Sequence, residues 1–228
     1  MTDTGSKHKF AGIIFDLDGV LVDSWDAWYH LLNLALFHFA AKGPLTKEEF
    51  QPLWGQGMEA DRDMFFPGLP VETLKKYYED HFPEVVPRVK WFPGSQDALQ
   101  ALRRSGIRCG VASNSPAGIL RTILENGGLI PYFEVILSSE EVLRPKPDPD
   151  ILLEVLRRMN LSAEQVLFVG DSPYDKAAAS AAGIEFAGLG IDGDYRLSKL
   201  TDLCFLEGVG TDVRSSLQSL EESSSPEK

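Results

Sequence analysis

The sequence predicts an α/β fold: a Rossmann-like parallel sheet core with helices on both faces, plus an inserted α-helical domain. Three observations predict it. The apolar, β-prone run Phe10-Ala11-Gly12-Ile13-Ile14 near the start reads as a buried strand. The stretch after it carries helical periodicity and no convincing strand until about residue 90. From Phe92-Pro93-Gly94-Ser95 onward, helix and strand patterns alternate, which argues for a parallel sheet covered on both faces. The expected organisation is therefore a core over 8–22 and 92–222, a helical insert over 23–91, and disordered tails at 1–7 and 223–228.

The elements follow in order. Ser24 is a good N-cap for a helix whose apolar residues recur at Trp28, Leu31, Leu32, Ala35, Leu36 and Phe39. Lys42-Gly43-Pro44 ends it. Thr46 with Glu49 three residues on has the form of a capping box and starts a second helix. Two further helical pieces, Asp61 to Phe66 and Val71 to Phe82, are broken by Pro67-Gly68 and Pro83. In the core, helix Ser95–Arg104 precedes strand Ile107–Ala112, and helix Pro116–Glu125 precedes strand Glu134–Leu137. Helix Pro149–Met159 leads to strand Val166–Val169, and helix Pro173–Ala182 to a short strand at Glu185–Ala187. Leu203–Leu206 reads as a last strand and Val213–Leu220 as a last helix.

Composition bounds the function. The 228 residues are 43% hydrophobic and 25% charged, as in an ordinary globular protein able to bury a large core. Lys and Arg number 22 against 34 Asp and Glu, a formal charge of −12 with no basic patch, which argues against nucleic acid and anionic membranes as partners. Cys109 and Cys204 both lie in apolar runs and form no disulfide framework, which suits a reducing cytoplasm. The first residues lack the apolar stretch of a signal peptide, and no segment is long enough to span a bilayer, so the expected location is cytoplasmic.

The polar residues that follow each strand carry the chemistry, because open α/β sheets bind ligands beyond the carboxyl ends of their strands. Asp16 and Asp18 follow the first strand, two apart, and would point to one side. Alone, that pair is either a metal and acid–base site or a solvated turn. Ser113-Asn114-Ser115-Pro116 follows the second; proline fits a first helical position, which makes Ser115 the expected cap and leaves Ser113 and backbone N–H groups at a helix start. Lys146 stands between Pro145 and Pro147, which hold its backbone extended. Asp171 and Asp175, four apart, follow strand Val166–Val169. Four carboxylates in one crevice need a divalent cation, and oxygen ligands favour Mg²⁺. A lysine, a serine hydroxyl and backbone N–H groups suit a phosphate, and together these are the parts of a phosphoryl-transfer site.

These residues resemble the four motifs of the haloacid dehalogenase-like phosphatases. The first is Asp16-Leu17-Asp18-Gly19-Val20-Leu21, the second Ser113, the third Lys146-Pro147-Asp148-Pro149, and the fourth Gly170-Asp171-Ser172-Pro173-Tyr174-Asp175. The likeness covers nearly the whole chain, and the insert is similar to that family's cap, placed after the first motif as in the phosphoglycolate phosphatase and β-phosphoglucomutase group. It implies that Asp16 is the nucleophile, Asp18 the general acid and base, and Ser113 and Lys146 the holders of the phosphoryl group, with Asn114 a further phosphate-binding candidate. It implies Mg²⁺ held at Asp16, Asp18 (through its backbone carbonyl), Asp171 and Asp175, the last directly or through a water. Dehalogenating relatives lack an aspartate at the position of Asp18, so phosphate chemistry is favoured.

The resemblance implies a phosphatase for a small phosphorylated metabolite, of phosphoglycolate or sugar-phosphate type. An inorganic pyrophosphatase, a β-phosphoglucomutase-like phosphotransferase and a non-catalytic binding protein are the alternatives. Mutase relatives usually carry a histidine twelve residues after the nucleophile, where this chain has Trp28; His30, two residues on, is turned about 200° away on a helix. Arg62, in the insert, is a candidate for contacting a second anionic group on the substrate.

Overall fold

Strand β1 (Gly12–Phe15) is buried along its whole length. Its alternation sends Ile13 and Phe15 into one apolar layer and Ile14 into the other, so both faces of the sheet must be covered. The structure, a computed structural model, describes residues 8–40 and 42–224; the segments 1–7 and 225–228, both expected as tails, lie outside the described residues.

After β1 the chain makes a two-residue strand β2 (Val22–Asp23) and enters the insert. There α1 (Trp25–Ala35) is followed by a wider helical turn, Leu36–Ala40, and by the short α2 (Lys47–Phe50), α3 (Met58–Phe65) and α4 (Val71–Val85). Leu31, Leu32 and Ala35 of α1 are buried together with Leu74, Tyr78 and Phe82 of α4. Thr46 and Glu49 form the expected capping box. Pro83 does not end α4, which continues to Val85; a proline this close to the C-terminal end removes one hydrogen bond without stopping the last turn. The insert closes on a two-residue strand β3 (Lys90–Trp91), antiparallel to β2 with Val22 opposite Trp91. Sequence periodicity cannot show so short a ladder, but it ties the two ends of the insert together.

The core continues with α5 (Ser95–Arg104), β4 (Arg108–Ser113), α6 (Ala117–Asn126), β5 (Val135–Ser138), α7 (Asp150–Met159), β6 (Val166–Gly170), α8 (Pro173–Ala182), β7 (Glu185–Leu189), β8 (Tyr195–Leu197) and α9 (Thr211–Ser224). The sheet order is β5-β4-β1-β6-β7-β8, and every pairing is parallel. Buried residues of α5, α6 and α9 cover one face; those of α7 and α8 cover the other. Strand order reverses about β1, with β4 on one side and β6 on the other, and a crevice opens at such a switch point.

Two expectations at the C-terminal side are corrected. Leu203–Leu206 is not a strand: Leu200–Phe205 forms 3₁₀ turns, with Leu200, Leu203 and Cys204 buried at helical rather than alternating spacing. The last strand is Tyr195–Leu197 instead, an edge strand too short to show a pattern. The final helix runs to Ser224, two residues into the stretch expected as tail. Cys109 and Cys204 are buried and unbridged, and burial pushes the Cys109 thiol up to about 12. Among the described residues no helix is long and apolar enough to cross a membrane.

Candidate active site

Three neighbouring strands deliver the site. β1 ends at Phe15 and hands on Asp16; β4 ends at Ser113; β6 ends at Gly170 and hands on Asp171. Parallel pairing in register puts these ends side by side. Lys146 reaches in from the loop after β5.

At the bottom of the cleft Lys146 is 3% exposed, yet its ammonium is fully used. Nζ donates to Asp16 Oδ1 at 2.8 Å, to Asp175 Oδ1 at 2.6 Å and to the Ala112 carbonyl at 3.0 Å. Burial alone would lower its pKa; Asp16 and Asp175 outweigh that and hold the ammonium above its ordinary value. Asp16 is pushed up as well, which for a carboxyl favours the neutral form. Burial raises its carboxyl well above the usual range, the charge of Lys146 opposes this, and the nearby carboxylates Asp175, Asp18 and Asp171 add to it.

Asp175 is wholly buried in the first turn of α8. Its Oδ2 accepts from the Ser172 hydroxyl at 2.5 Å and the Ser172 N–H at 3.1 Å, completing a capping box. Asp171 has one oxygen, Oδ2, bonded by Trp54 Nε1 at 2.8 Å, while the buried Oδ1 has no hydrogen-bond partner. Burial, with help from Asp175, pushes Asp171 up to about 7. Gly19, at φ 81°, makes room here: a Cβ on it would lie 1.9 Å from Asp171 Oδ2.

Carboxylate oxygens of Asp16, Asp171 and Asp175 lie within 4.8 Å of one another. An orphaned buried carboxylate oxygen beside two more carboxylates and a single ammonium is a donor set that fits a hard divalent cation. The side chain of Asp18 is not part of this cluster. Its Oδ1 accepts from Trp28 Nε1 at 2.9 Å and from the Ser24 hydroxyl; its Oδ2 accepts from Ser115 Oγ at 2.6 Å.

Those partners correct the reading of two serines. Ser24 sits at the N-cap position of α1 but makes no capping bond, and Ser115 does not cap α6, which begins at Ala117. Both hydroxyls are turned onto Asp18 instead. Ser113 is fully buried, and its Oγ accepts from the Ser115 N–H at 3.1 Å. The Asn114 side chain, expected at a phosphate, is committed to backbone: Nδ2 donates to the carbonyls of Lys146 and Gly55, and Oδ1 accepts from the Lys146 N–H at 3.0 Å. It fixes the main chain from which the Lys146 side chain extends.

Above this floor the insert forms the rest of a cleft of about 60 Å³, with Trp28, Phe50, Trp54, Met58 and Tyr78 among its walls. Arg62 is not one of the lining residues; its Nε lies 2.7 Å from Asp63. The neighbouring Asp61 lines the cleft instead, because on α3 one residue turns the side chain by about 100°. In the sequence, Trp54-Gly55-Gln56-Gly57 with the following Asp61 and Arg62 is similar to a cap segment that faces the active site, but it does not show which of these side chains enter the cleft, and Trp28 carries no signal of its bond to Asp18.

A family model described as haloacid dehalogenase-like hydrolase matches residues 13–189. A phosphoglycolate phosphatase of Salmonella typhi is 32% identical over 208 residues, covering 80% of this chain and 82% of the relative. The corresponding enzyme of Escherichia coli K12 is 33% identical over 204 residues, 78% of this chain and 80% of its own. Two solved structures share the fold: CbbY from Rhodobacter sphaeroides in complex with phosphate (TM-score 0.76, 22% identity, 85% of this chain and 96% of that one), and β-phosphoglucomutase from Clostridium difficile (TM-score 0.73, 19% identity, 93% and 99%).

Proposed function

The chain belongs to the haloacid dehalogenase-like hydrolases, and from that membership and the cleft we propose a Mg²⁺-dependent phosphatase that hydrolyses a small phosphorylated metabolite through an aspartyl-phosphate intermediate. The observation that carries this reading is the convergence of Asp16, Lys146, Asp171 and Asp175 at the ends of adjacent parallel strands, with Asp18 and its hydroxyl partners beside them.

Asp16, held at Oδ1 by Lys146, attacks phosphorus with its other oxygen; an Asp–O–P bond forms as the ester P–O bond breaks. Asp18 gives its proton to the departing alkoxide. It then takes a proton from water as that water attacks phosphorus, which releases orthophosphate and regenerates Asp16. Lys146 lowers the cost of bringing a phosphate dianion up to a carboxylate, and Ser113 and the N–H groups after β4 orient the phosphoryl oxygens. Mg²⁺ held by Asp16, the Asp18 carbonyl, Asp171 and Asp175 would supply charge neutralisation for the transferring group. The helical insert acts as a cap that keeps water from the aspartyl phosphate until Asp18 can use it. The unbridged thiols and acidic composition fit a cytoplasmic enzyme acting on metabolites.

A mutase is disfavoured because Trp28, at the position where those relatives carry histidine, presents a donor-only indole to Asp18. The test is phosphate release from a panel of phosphoglycolate, sugar phosphates, nucleotides and pyrophosphate, with Mg²⁺ and with EDTA. Metal-dependent release from a monoester, abolished in Asp16→Asn, is expected. Release confined to pyrophosphate, full activity in EDTA, or turnover by Asp16→Asn would overturn the assignment.

A further inference from the structure

The insert supplies one wall of the cleft, and Asp61, on α3, is the one carboxyl among the lining residues that the insert contributes. Its Oδ1 accepts from Gln56 Nε2 at 2.6 Å and its Oδ2 from the Tyr78 hydroxyl at 3.2 Å, and both donors are neutral. Among the lining residues Lys146 is the one cation, and it is bonded to Asp16 and Asp175 of the core. Arg62, adjacent in sequence, pairs with Asp63. Asp61 is thus a carboxyl in an aromatic and aliphatic enclosure with no positive partner.

A carboxyl in such a place is stabilised by whatever brings it a donor or a positive charge, and opposed by a second anion. Burial pushes Asp61 up to about 7 against the pull of its bonds from Gln56 and Tyr78, as expected of a group that lacks a cation. The cleft volume is small, about 60 Å³, and suits an ester with a short alcohol.

We propose that Asp61 is a specificity-determining residue: it accepts a hydrogen bond from a hydroxyl or ammonium group at the end of a short substrate remote from its phosphate, and it selects against substrates with an anionic group there. The proposal rests on the phosphatase reading above and narrows it. It sets this chain apart from the relatives named for phosphoglycolate, whose substrate would bring a carboxylate to Asp61 with no cation at hand.

The experiment compares kcat/KM with Mg²⁺ for four esters: phosphoethanolamine, glycerol phosphate, phosphoglycolate, and ethyl phosphate, which has no remote polar group. We expect one or both donor-bearing esters to exceed phosphoglycolate and ethyl phosphate by about tenfold or more, the scale of a hydrogen bond to a charged group. In Asp61→Leu the ratio to ethyl phosphate should collapse for the favoured ester. Asp61→Asn keeps an acceptor without the charge, so it should spare glycerol phosphate more than phosphoethanolamine and so tell hydroxyl from ammonium recognition. Using the ratio removes any general loss from misfolding, because damage lowers every ester alike. Phosphoglycolate as the preferred ester, or ratios unmoved by either substitution, would overturn the proposal while leaving the phosphatase reading intact. Absence of release from all four esters would overturn the proposal, and absence of release from the wider panel above as well would overturn the phosphatase reading.

Discussion

Trp54 Nε1 donates to Asp171 Oδ2 at 2.8 Å, which joins a loop of the insert directly to the first carboxylate after β6. The two residues are 117 apart in sequence. Gly55, next along, stands against Ser172 and has φ 86°, so the loop backbone approaches the core closely at the same point. The insert is therefore fastened to the residue that offers an unpartnered oxygen to the cluster.

Trp54→Phe keeps most of the ring and removes the donor. With the fastening gone, the closed arrangement costs more to reach on substrate binding. KM should rise severalfold with a smaller change in kcat, as read from steady-state kinetics; an unchanged KM would show that closure does not use this bond. A charged-acceptor hydrogen bond of about 1.5–3 kcal/mol sets the upper limit of the effect.

Lys146→Met would leave Asp16 and Asp175 buried together without their ammonium. Breaking one side of a buried ion pair costs about 3–5 kcal/mol, and urea unfolding should show a loss of that order without metal. Added Mg²⁺ should restore part of it by supplying positive charge to the same carboxylates. Equal loss with and without Mg²⁺ would count against metal binding at this cluster.

Gly19→Ala strains the molecule twice, through φ 81° and through a Cβ placed 1.9 Å from Asp171 Oδ2. The backbone component costs of order 1–3 kcal/mol. Displacing Asp171 should cost more in activity than in stability, about 10²-fold in kcat/KM if the carboxylate moves by an ångström. Thermal unfolding and kinetics on the same preparation separate the two.

The pH dependence of stability should carry a signature of Asp61. Its folded pKa is raised from 3.8 to about 7, so the native state binds the proton more tightly than the unfolded chain does. That contribution is complete below pH 3.8 and is lost as pH rises through about 7. The wild type should therefore lose stability relative to Asp61→Asn between acidic and mildly alkaline pH, by something of order 1–4 kcal/mol. Urea titrations of both proteins at the two pH extremes measure it; a constant difference would mean that the carboxyl is not desolvated in solution.

Some of the site was legible because its signals are local. Asp16 and Asp18 follow an apolar strand, and Lys146 lies between prolines; a single pass along the chain finds them. Ser24 and Ser115 show where such reading stops. Each has the local signature of a helix cap, and each spends its hydroxyl on Asp18, which for Ser115 lies 97 residues away. Arg62 and Asp61 differ by one position on a helix, and periodicity in a short, weakly patterned segment could not say which faces the cleft.

By itself the sequence determined the parallel α/β core, the helical insert and the order in which five acidic or basic groups arrive after strand ends, because hydrophobic period and turn chemistry are encoded within a few residues. Only the tertiary structure decided which donors Asp18 receives, that Trp54 reaches Asp171, that Asn114 serves the backbone of Lys146, and that Asp61 rather than Arg62 lines the cleft. Those choices depend on how the insert docks on the core, and docking is set by packing between surfaces far apart in the chain, which no local pattern records.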